Sequence, residues 1–163
     1  MGVKTINCRS ESAATKPAYR ASFKDRRCLV PADAFYEWKK LPGGKKQPMV
    51  VRMKGGEVFA MAGLWDRWRP PEGEAIDTFT IVTTEANGVV REIHDRMPVI
   101  VPREGWGAWL SGDEESAKGM MGPLDAGGME AYPVSSLVSN TRNQGPELAR
   151  RVVVEEQGGL FGR

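Results

Sequence analysis

Frequent glycines and prolines divide this chain into short runs, and this limits what it can fold into. The 163 residues include 19 glycines and 11 prolines. The runs between them predict short strands at residues 28–30, 35–39, 49–53, 58–65, 79–84 and 97–101. Two glycine-containing segments, 41–44 and 54–57, are typical of hairpin turns between neighbouring strands.

Helical patterns are fewer. Aromatic spacing predicts a helix over 16–26, with Tyr19 and Phe23 on its apolar side. A second short helix is predicted over 87–93, and a third over 103–110, after a proline that suits a helix start. We therefore predict an α+β fold, with a mostly antiparallel, curved or barrel-like β-sheet and peripheral helices.

The composition is that of an ordinary globular chain, with 40% hydrophobic residues, 27% charged residues and a net charge of +2. No apolar run is long enough to cross a bilayer and no secretion signal is recognised, so a cytoplasmic location is predicted. Two cysteines and one histidine are too few for a zinc site, so neither metal nor cofactor is expected. Basic residues are concentrated in the first third of the chain, where they form either a solvated face or a surface that binds phosphates.

The single histidine, His94, lies between an acid and a base in Ile93-His94-Asp95-Arg96-Met97-Pro98. Histidine is the side chain best suited to exchange protons near neutral pH. The alternative is a hydrogen-bonded packing residue, which is the commoner role of a lone histidine.

Asn7 and Arg9 are two positions apart, so they would share one face of an extended strand. An amide can orient a reacting amine, and a guanidinium can bind phosphate with two hydrogen bonds. On spacing alone, an Asx-type turn with a solvated arginine is the favoured alternative.

Glu37 would share a strand face with Phe35 and Lys39, leaving Tyr36 and Trp38 on the other. Burial of this carboxylate would raise its pKa towards the range of a general acid. Trp38 could stack on an unpaired base, although a buried tryptophan is usually core.

These residues belong to a series of five segments that occur in a fixed order. The segments are Asn7-Cys8-Arg9-Ser10-Glu11, Arg27-Cys28-Leu29-Val30-Pro31-Ala32-Asp33-Ala34-Phe35-Tyr36-Glu37-Trp38, Ile81-Val82-Thr83-Thr84, Ile93-His94-Asp95-Arg96-Met97-Pro98 and Asn143-Gln144-Gly145. The series closely resembles the SOS response-associated peptidase (SRAP) family, whose members crosslink to abasic sites in single-stranded DNA. The resemblance extends from about residue 6 to residue 147.

The resemblance implies a site and a chemistry. In the family, a cysteine at position two attacks the ring-opened aldehyde of the abasic site through its α-amine and thiol and closes a thiazolidine. Asn7, Glu37 and His94 match the residues that surround that cysteine. The residues expected to bind DNA are Arg9, Trp38, Thr83 and Arg96.

The sequence also departs from the family. It begins Met1-Gly2, and only six residues precede Asn7, where family members carry a substantial segment. We expect a single SRAP-like domain over 1–155 that lacks this segment, followed by a flexible tail over 156–163. The missing strands would leave sheet edges exposed, which favours a homodimer.

Cys8 is a possible substitute nucleophile, because the neighbouring guanidinium of Arg9 would lower its thiol pKa. An internal cysteine has no free α-amine, so it cannot close a thiazolidine. The alternative is a small packing residue. Cys28 is expected in the core.

The leading interpretation is a single-stranded DNA-binding protein of the DNA damage (SOS) response that recognises abasic sites, with the family's crosslinking and autoproteolytic chemistry. It would be cytoplasmic and associated with the nucleoid when bound to DNA. One alternative is a binding module without chemistry. Another is a thiol hydrolase that uses Cys8, His94 and Asn7.

Overall fold

A computed structural model gives the fold and describes residues 6–154. The strands are β1 (Asn7–Arg9), β2 (Arg27–Ala32), β3 (Phe35–Lys40), β4 (Lys46–Met53), β5 (Phe59–Trp68), β6 (Ile76–Glu85), β7 (Arg96–Pro98), β8 (Ile100–Val101) and β9 (Met129–Pro133). The helices are α1 (Ser10–Ala13), α2 (Arg20–Asp25), α3 (Gly88–Arg91), α4 (Trp106–Ser111) and α5 (Glu114–Gly119). The predicted tail over 156–163 lies outside the described residues.

The larger sheet has the order β1-β6-β5-β2, and within residues 6–154 only the β1–β6 pair is parallel. The β5–β6 ladder ends at the Gly63–Ile81 pair, and beyond it β7 pairs with β6 while β8 pairs with β5. Val99 bridges the two strands, because its N–H donates to Val82 and its carbonyl accepts from Ala62, both at 2.8 Å. The segment that follows His94 is thus inserted between β5 and β6.

The smaller sheet has the order β3-β4-β9, all antiparallel. The hairpin predicted at 41–44 is confirmed: β3 and β4 pair across it, and Gly43 and Gly44 have φ of 76° and 80°, which favour glycine.

The hairpin predicted at 54–57 is wrong. The chain does turn there, with Gly55 at φ 86°, but β4 pairs with β9 while β5 enters the larger sheet. Turn residues specify a change of direction and not the partner of the next strand. The first half of β5 is buried on both faces, so it pairs inside the larger sheet.

Two apolar clusters hold these layers together. One packs the helices against the larger sheet, and in it Phe23 and Trp109 meet edge to face with ring centroids 6.3 Å apart. The other lies between the two sheets and includes Val51, Phe59 and Met97. The helical layer therefore covers one face of the larger sheet, and the smaller sheet covers part of the other.

The predicted fold class is confirmed, with α+β content and mostly antiparallel strands arranged in two sheets. The helix predicted over 16–26 is shorter, because a turn closed by the Tyr19 N–H on the Lys16 carbonyl precedes α2. Helices α1 and α5 and strand β9 have no counterpart among the predicted elements. No helix in the described part of the chain is long and apolar enough to span a membrane.

Candidate functional site

A cleft of about 440 Å³ lies where β3 of the smaller sheet faces β1, β6 and β7 of the larger one. Its apolar side chains include Met61 and Ile81. Six of the residues predicted for the site line it: Asn7, Arg9, Glu37, Thr83, His94 and Arg96. They come from four separate stretches of sequence that only the tertiary fold brings together.

Strand β1 presents Asn7 and Arg9 to this cleft. Its register places Asn7 opposite Ile81 and Arg9 opposite Thr83, and both side chains are exposed while Cys8 between them is buried. The prediction that Asn7 and Arg9 share one face of an extended strand is confirmed.

Cys8 points away from the cleft into the core, where its exposed fraction is 0%. Burial raises the pKa of its thiol to about 11. The expectation that a neighbouring guanidinium lowers this pKa is therefore wrong, because the loss of hydration outweighs nearby charge. Cys8 does not line the cleft with His94 and Asn7, so the thiol-hydrolase arrangement is not formed.

Glu37 enters the cleft from β3 and is half-buried. Burial raises its pKa, and the neighbouring His94 only partly opposes that shift. The predicted direction is confirmed. A carboxyl group that holds its proton to a higher pH can act as an acid at the cleft.

The short helix α3 carries the chain into His94. The Asn87 side chain caps its start by accepting from the N–H groups of Val89 and Val90, and the His94 N–H donates to the Val90 carbonyl at 2.8 Å. The His94 ring is 43% exposed, and its Nδ1 accepts from the Arg96 N–H at 3.0 Å. Nδ1 also lies 3.1 Å from Asp95 Oδ1.

Trp38 does not line this cleft. It lies in a neighbouring cleft, also of about 440 Å³, with Lys39, Lys40 and Arg91. Its indole Nε1 donates to Ser139 Oγ at 3.2 Å. His94 lines both clefts and connects them.

Comparison with known proteins identifies the family. The profile of the family described as SOS response associated peptidase (SRAP) matches residues 1–141. This chain belongs to the SRAP family. The abasic site processing protein YoqW of Bacillus subtilis (strain 168) is 44% identical over 151 residues, which are 91% of this chain and 67% of that protein. The abasic site processing protein HMCES of Xenopus tropicalis is 34% identical over 182 residues.

The likeness extends to structure. A crystal structure of a protein from Bacteroides thetaiotaomicron, 30% identical, superposes with a TM-score of 0.84 over 92% of this chain and 67% of that one. The chain spans about half of the Xenopus relative, 53% of its length. The SRAP fold is therefore shared, while the relatives are longer proteins.

The positions of two further residues of this SRAP-family chain, Cys28 and Glu11, were not correctly predicted from sequence. Cys28, expected in the core, is half-buried and lines an apolar cleft of about 420 Å³ with Trp65 and Phe79, because β2 is at the end of the larger sheet. Glu11, which the sequence reasoning did not assign to the site, binds Arg96. The available signal was its position at the end of the first family segment.

Within residues 6–154, no group of three or more histidine, cysteine, aspartate or glutamate side chains could hold a metal ion.

Proposed function

We propose that this protein binds single-stranded DNA at abasic sites as part of the response to DNA damage. The observation that carries the proposal is the convergence of Asn7, Glu37 and His94 in one cleft, beside Arg9 and Thr83. The family and the names of relatives such as YoqW support the same assignment. We further propose that the protein is a single domain, that it forms a homodimer, and that it is cytoplasmic and associated with the nucleoid when bound to DNA.

The strand path follows from the two connected clefts. Arg9 and Arg96 are suited to bind phosphate oxygens beside the abasic sugar. Trp38, on the far side of His94, is suited to stack on a neighbouring base. Stacking needs a base that is free of a complementary strand, so we propose single-stranded DNA as the partner.

The covalent chemistry assigns one role to each polar side chain. An amine adds to the aldehyde carbon of the opened sugar, and Asn7 orients it. Glu37 then protonates the resulting hydroxyl, which leaves as water and gives an imine. If a thiol then adds to the imine carbon, its sulfur bonds to that carbon and its proton passes to the nitrogen, which closes the thiazolidine. His94 exchanges the proton of the sugar hydroxyl. Position 2 is glycine, Cys8 is buried and Cys28 lines a different cleft, so neither cysteine thiol lies in this cleft.

The test uses a fluorescent single-stranded oligonucleotide with one abasic site, an intact copy and a duplex copy. We expect anisotropy to show tightest binding to the abasic single strand and a denaturing gel to show a covalent band. Asn7→Ala, Glu37→Gln and His94→Ala should weaken the band, whereas Glu57→Gln, at an exposed turn, should not. Equal affinity for all three oligonucleotides would overturn the proposal.

A binding module without covalent chemistry is the second candidate. It is favoured by Cys8, whose thiol is buried and has a pKa raised to about 11. Selective binding to the abasic strand without a covalent band would establish this alternative. The same burial opposes the thiol hydrolase.

A further inference from the structure

Glu11 lies in α1, directly after the strand that carries Asn7 and Arg9, and its carboxylate is bound by Arg96. The Arg96 Nη1 is 2.5 Å from Glu11 Oε1, and Nη2 is 3.0 Å from Oε2. This is a bidentate ion pair, the geometry in which arginine binds a carboxylate most strongly. The hydrogen bonds from Arg96 lower the pKa of Glu11 to about 2, so the carboxylate is charged at neutral pH.

Arg96 is held at more than one point. Its Nη2 also donates to the Thr83 carbonyl at 2.6 Å, and its side chain is only 20% exposed although that of Glu11 is 59% exposed. Arg96 is the first residue of β7 and pairs with Glu85. The ion pair therefore ties α1 to the start of the inserted strand.

The backbone of Arg96 contacts the imidazole of His94. Its N–H donates to Nδ1 at 3.0 Å, which requires an unprotonated Nδ1 and places the proton of the neutral ring on Nε2. Two acceptors favour the opposite arrangement, with the proton on Nδ1: Asp95 Oδ1 lies 3.1 Å from the same nitrogen and the Arg96 carbonyl oxygen lies 3.3 Å from it. The Arg96 N–H competes with these two acceptors for Nδ1, and its contact is the shortest of the three, so the position of the Arg96 N–H decides where the proton lies.

We propose that Glu11 is a positioning residue: through Arg96 it holds the Arg96 N–H against His94 Nδ1, so that the neutral imidazole presents a protonated Nε2 to the cleft. Nε2 has no partner among residues 6–154 and is free to donate to a sugar or phosphate oxygen. Without the Glu11 contact, the Arg96 backbone is less constrained and Asp95 draws the proton to Nδ1. A role for the Nε2–H tautomer in binding or capturing DNA rests on the proposed function, whereas the existence of that tautomer in the free protein does not.

The test is nitrogen NMR of isotope-labelled protein without DNA, because the chain has one histidine and its ring signals need no assignment. At about pH 9, where free histidine is neutral, wild-type protein should show mainly the Nε2–H form. Glu11→Gln should raise the Nδ1–H fraction severalfold, and Glu11→Asp, which keeps the charge, should stay close to wild type. Asp77→Asn is the matched control, because Asp77 forms a similar pair with Arg67, at 2.6 and 2.7 Å, outside the cleft.

Arg96→Lys is a second variant that removes the same contact, since lysine keeps the backbone N–H but cannot form the bidentate ion pair with Glu11. It should raise the Nδ1–H fraction of the His94 ring, as Glu11→Gln does. If Glu11→Gln does not fold, the spectrum of Arg96→Lys tests the proposal instead. The proposal is overturned if the wild-type ring is mainly Nδ1–H, or if the folded Glu11 or Arg96 variant keeps the wild-type spectrum.

The DNA measurement separates this inference from the proposed function. Glu11→Gln should slow covalent capture of an abasic strand about tenfold, less than a general acid–base group contributes. Affinity should stay equal or tighten, because Arg96 loses a competing anion. If the NMR shift occurs and wild-type protein ignores abasic DNA, the proposed function fails and the positioning role stands.

Discussion

Glu37 illustrates at the residue scale how a side chain of the candidate site can reduce stability. Its carboxyl is half-buried between two sheets, and burial raises its pKa above the ordinary 4.5. The folded protein then binds this proton more tightly than the unfolded chain does, so stability falls as pH rises through this window. Below pH 4.5 both states hold the proton and the cost disappears.

We therefore expect Glu37→Gln to be more stable than wild type by about 1 kcal/mol at about pH 8, while the proposed covalent capture of abasic DNA is weakened. Urea unfolding across a pH series measures the difference, which should shrink towards zero in acid. Glu57→Gln, at an exposed turn, should match wild type throughout. A Glu37→Gln protein that is less stable at alkaline pH would contradict this account.

The two cysteines should differ in reactivity. Burial raises the pKa of both thiols, to about 11 for Cys8, but Cys8 has no exposed surface whereas Cys28 is half-buried and lines an open cleft. Iodoacetamide at about pH 8 should label Cys28 at least tenfold faster than Cys8, since thiolate and access are both needed. Peptide mass spectrometry measures both rates, and faster labelling of Cys8 would revive the thiol-hydrolase interpretation.

At the scale of elements, Arg27 at the start of β2 joins the sheet to two helices. It is only 8% exposed and donates to the Trp109 carbonyl at 2.5 Å, to the Phe23 carbonyl at 2.8 Å and to the Gly112 carbonyl. These carbonyls lie at the ends of α2 and α4, where the helices leave acceptors unsatisfied.

Arg27→Met should therefore destabilise the fold by about 2–3 kcal/mol, because it leaves buried carbonyls without donors. Its neighbour Arg26 supplies the control: it is partly exposed, pairs with Asp66 at 3.3 Å, and donates to the Trp65 carbonyl at 3.3 Å and to Ser22 Oγ at 3.1 Å. Arg26→Met should cost less than about 1 kcal/mol. Urea midpoints compare the two, and equal losses would show that Arg27 has no special role.

The inserted segment is the element that makes the site. β7 and β8 enter where β5 and β6 separate, so His94 and Arg96 come to lie beside Thr83 and across from Glu37. The strand run at 97–101 was predicted from sequence, but its place between two other strands was not. Backbone pairing over such distances depends on which faces the whole chain buries.

At the scale of the whole molecule, the net charge of +2 is small, so the proposed binding to DNA would depend on where the charge lies. Lys39 and Lys40 line the cleft beside Trp38, whereas Arg20 and Lys24 are exposed on α2 in the helical layer. Replacing either pair with glutamate changes the net charge by the same amount, so a comparison of the two variants tests whether the location of the positive charge matters.

Lys39→Glu with Lys40→Glu should make the dependence of log affinity on log salt less steep by about 1.4, or roughly 0.7 for each lost phosphate contact on a single strand. Arg20→Glu with Lys24→Glu alters net charge equally and should change the slope little. Anisotropy titrations at several salt concentrations provide the slopes. Similar slopes for both variants would mean that the strand does not pass Trp38.

Sequence patterns predict the family and the strands of both sheets other than β1 and β9. They also raise the possibility that Asn7 and Arg9 share a strand face, although spacing alone favours an Asx-type turn there. These follow from local alternation and from motifs that lie within short segments. Only the tertiary structure decided that Cys8 is buried, that the turn at 54–57 leads into another sheet, and that Glu11 binds Arg96 across 85 positions. The physical reason is that burial and partner choice depend on the packing of distant segments, which no local pattern encodes.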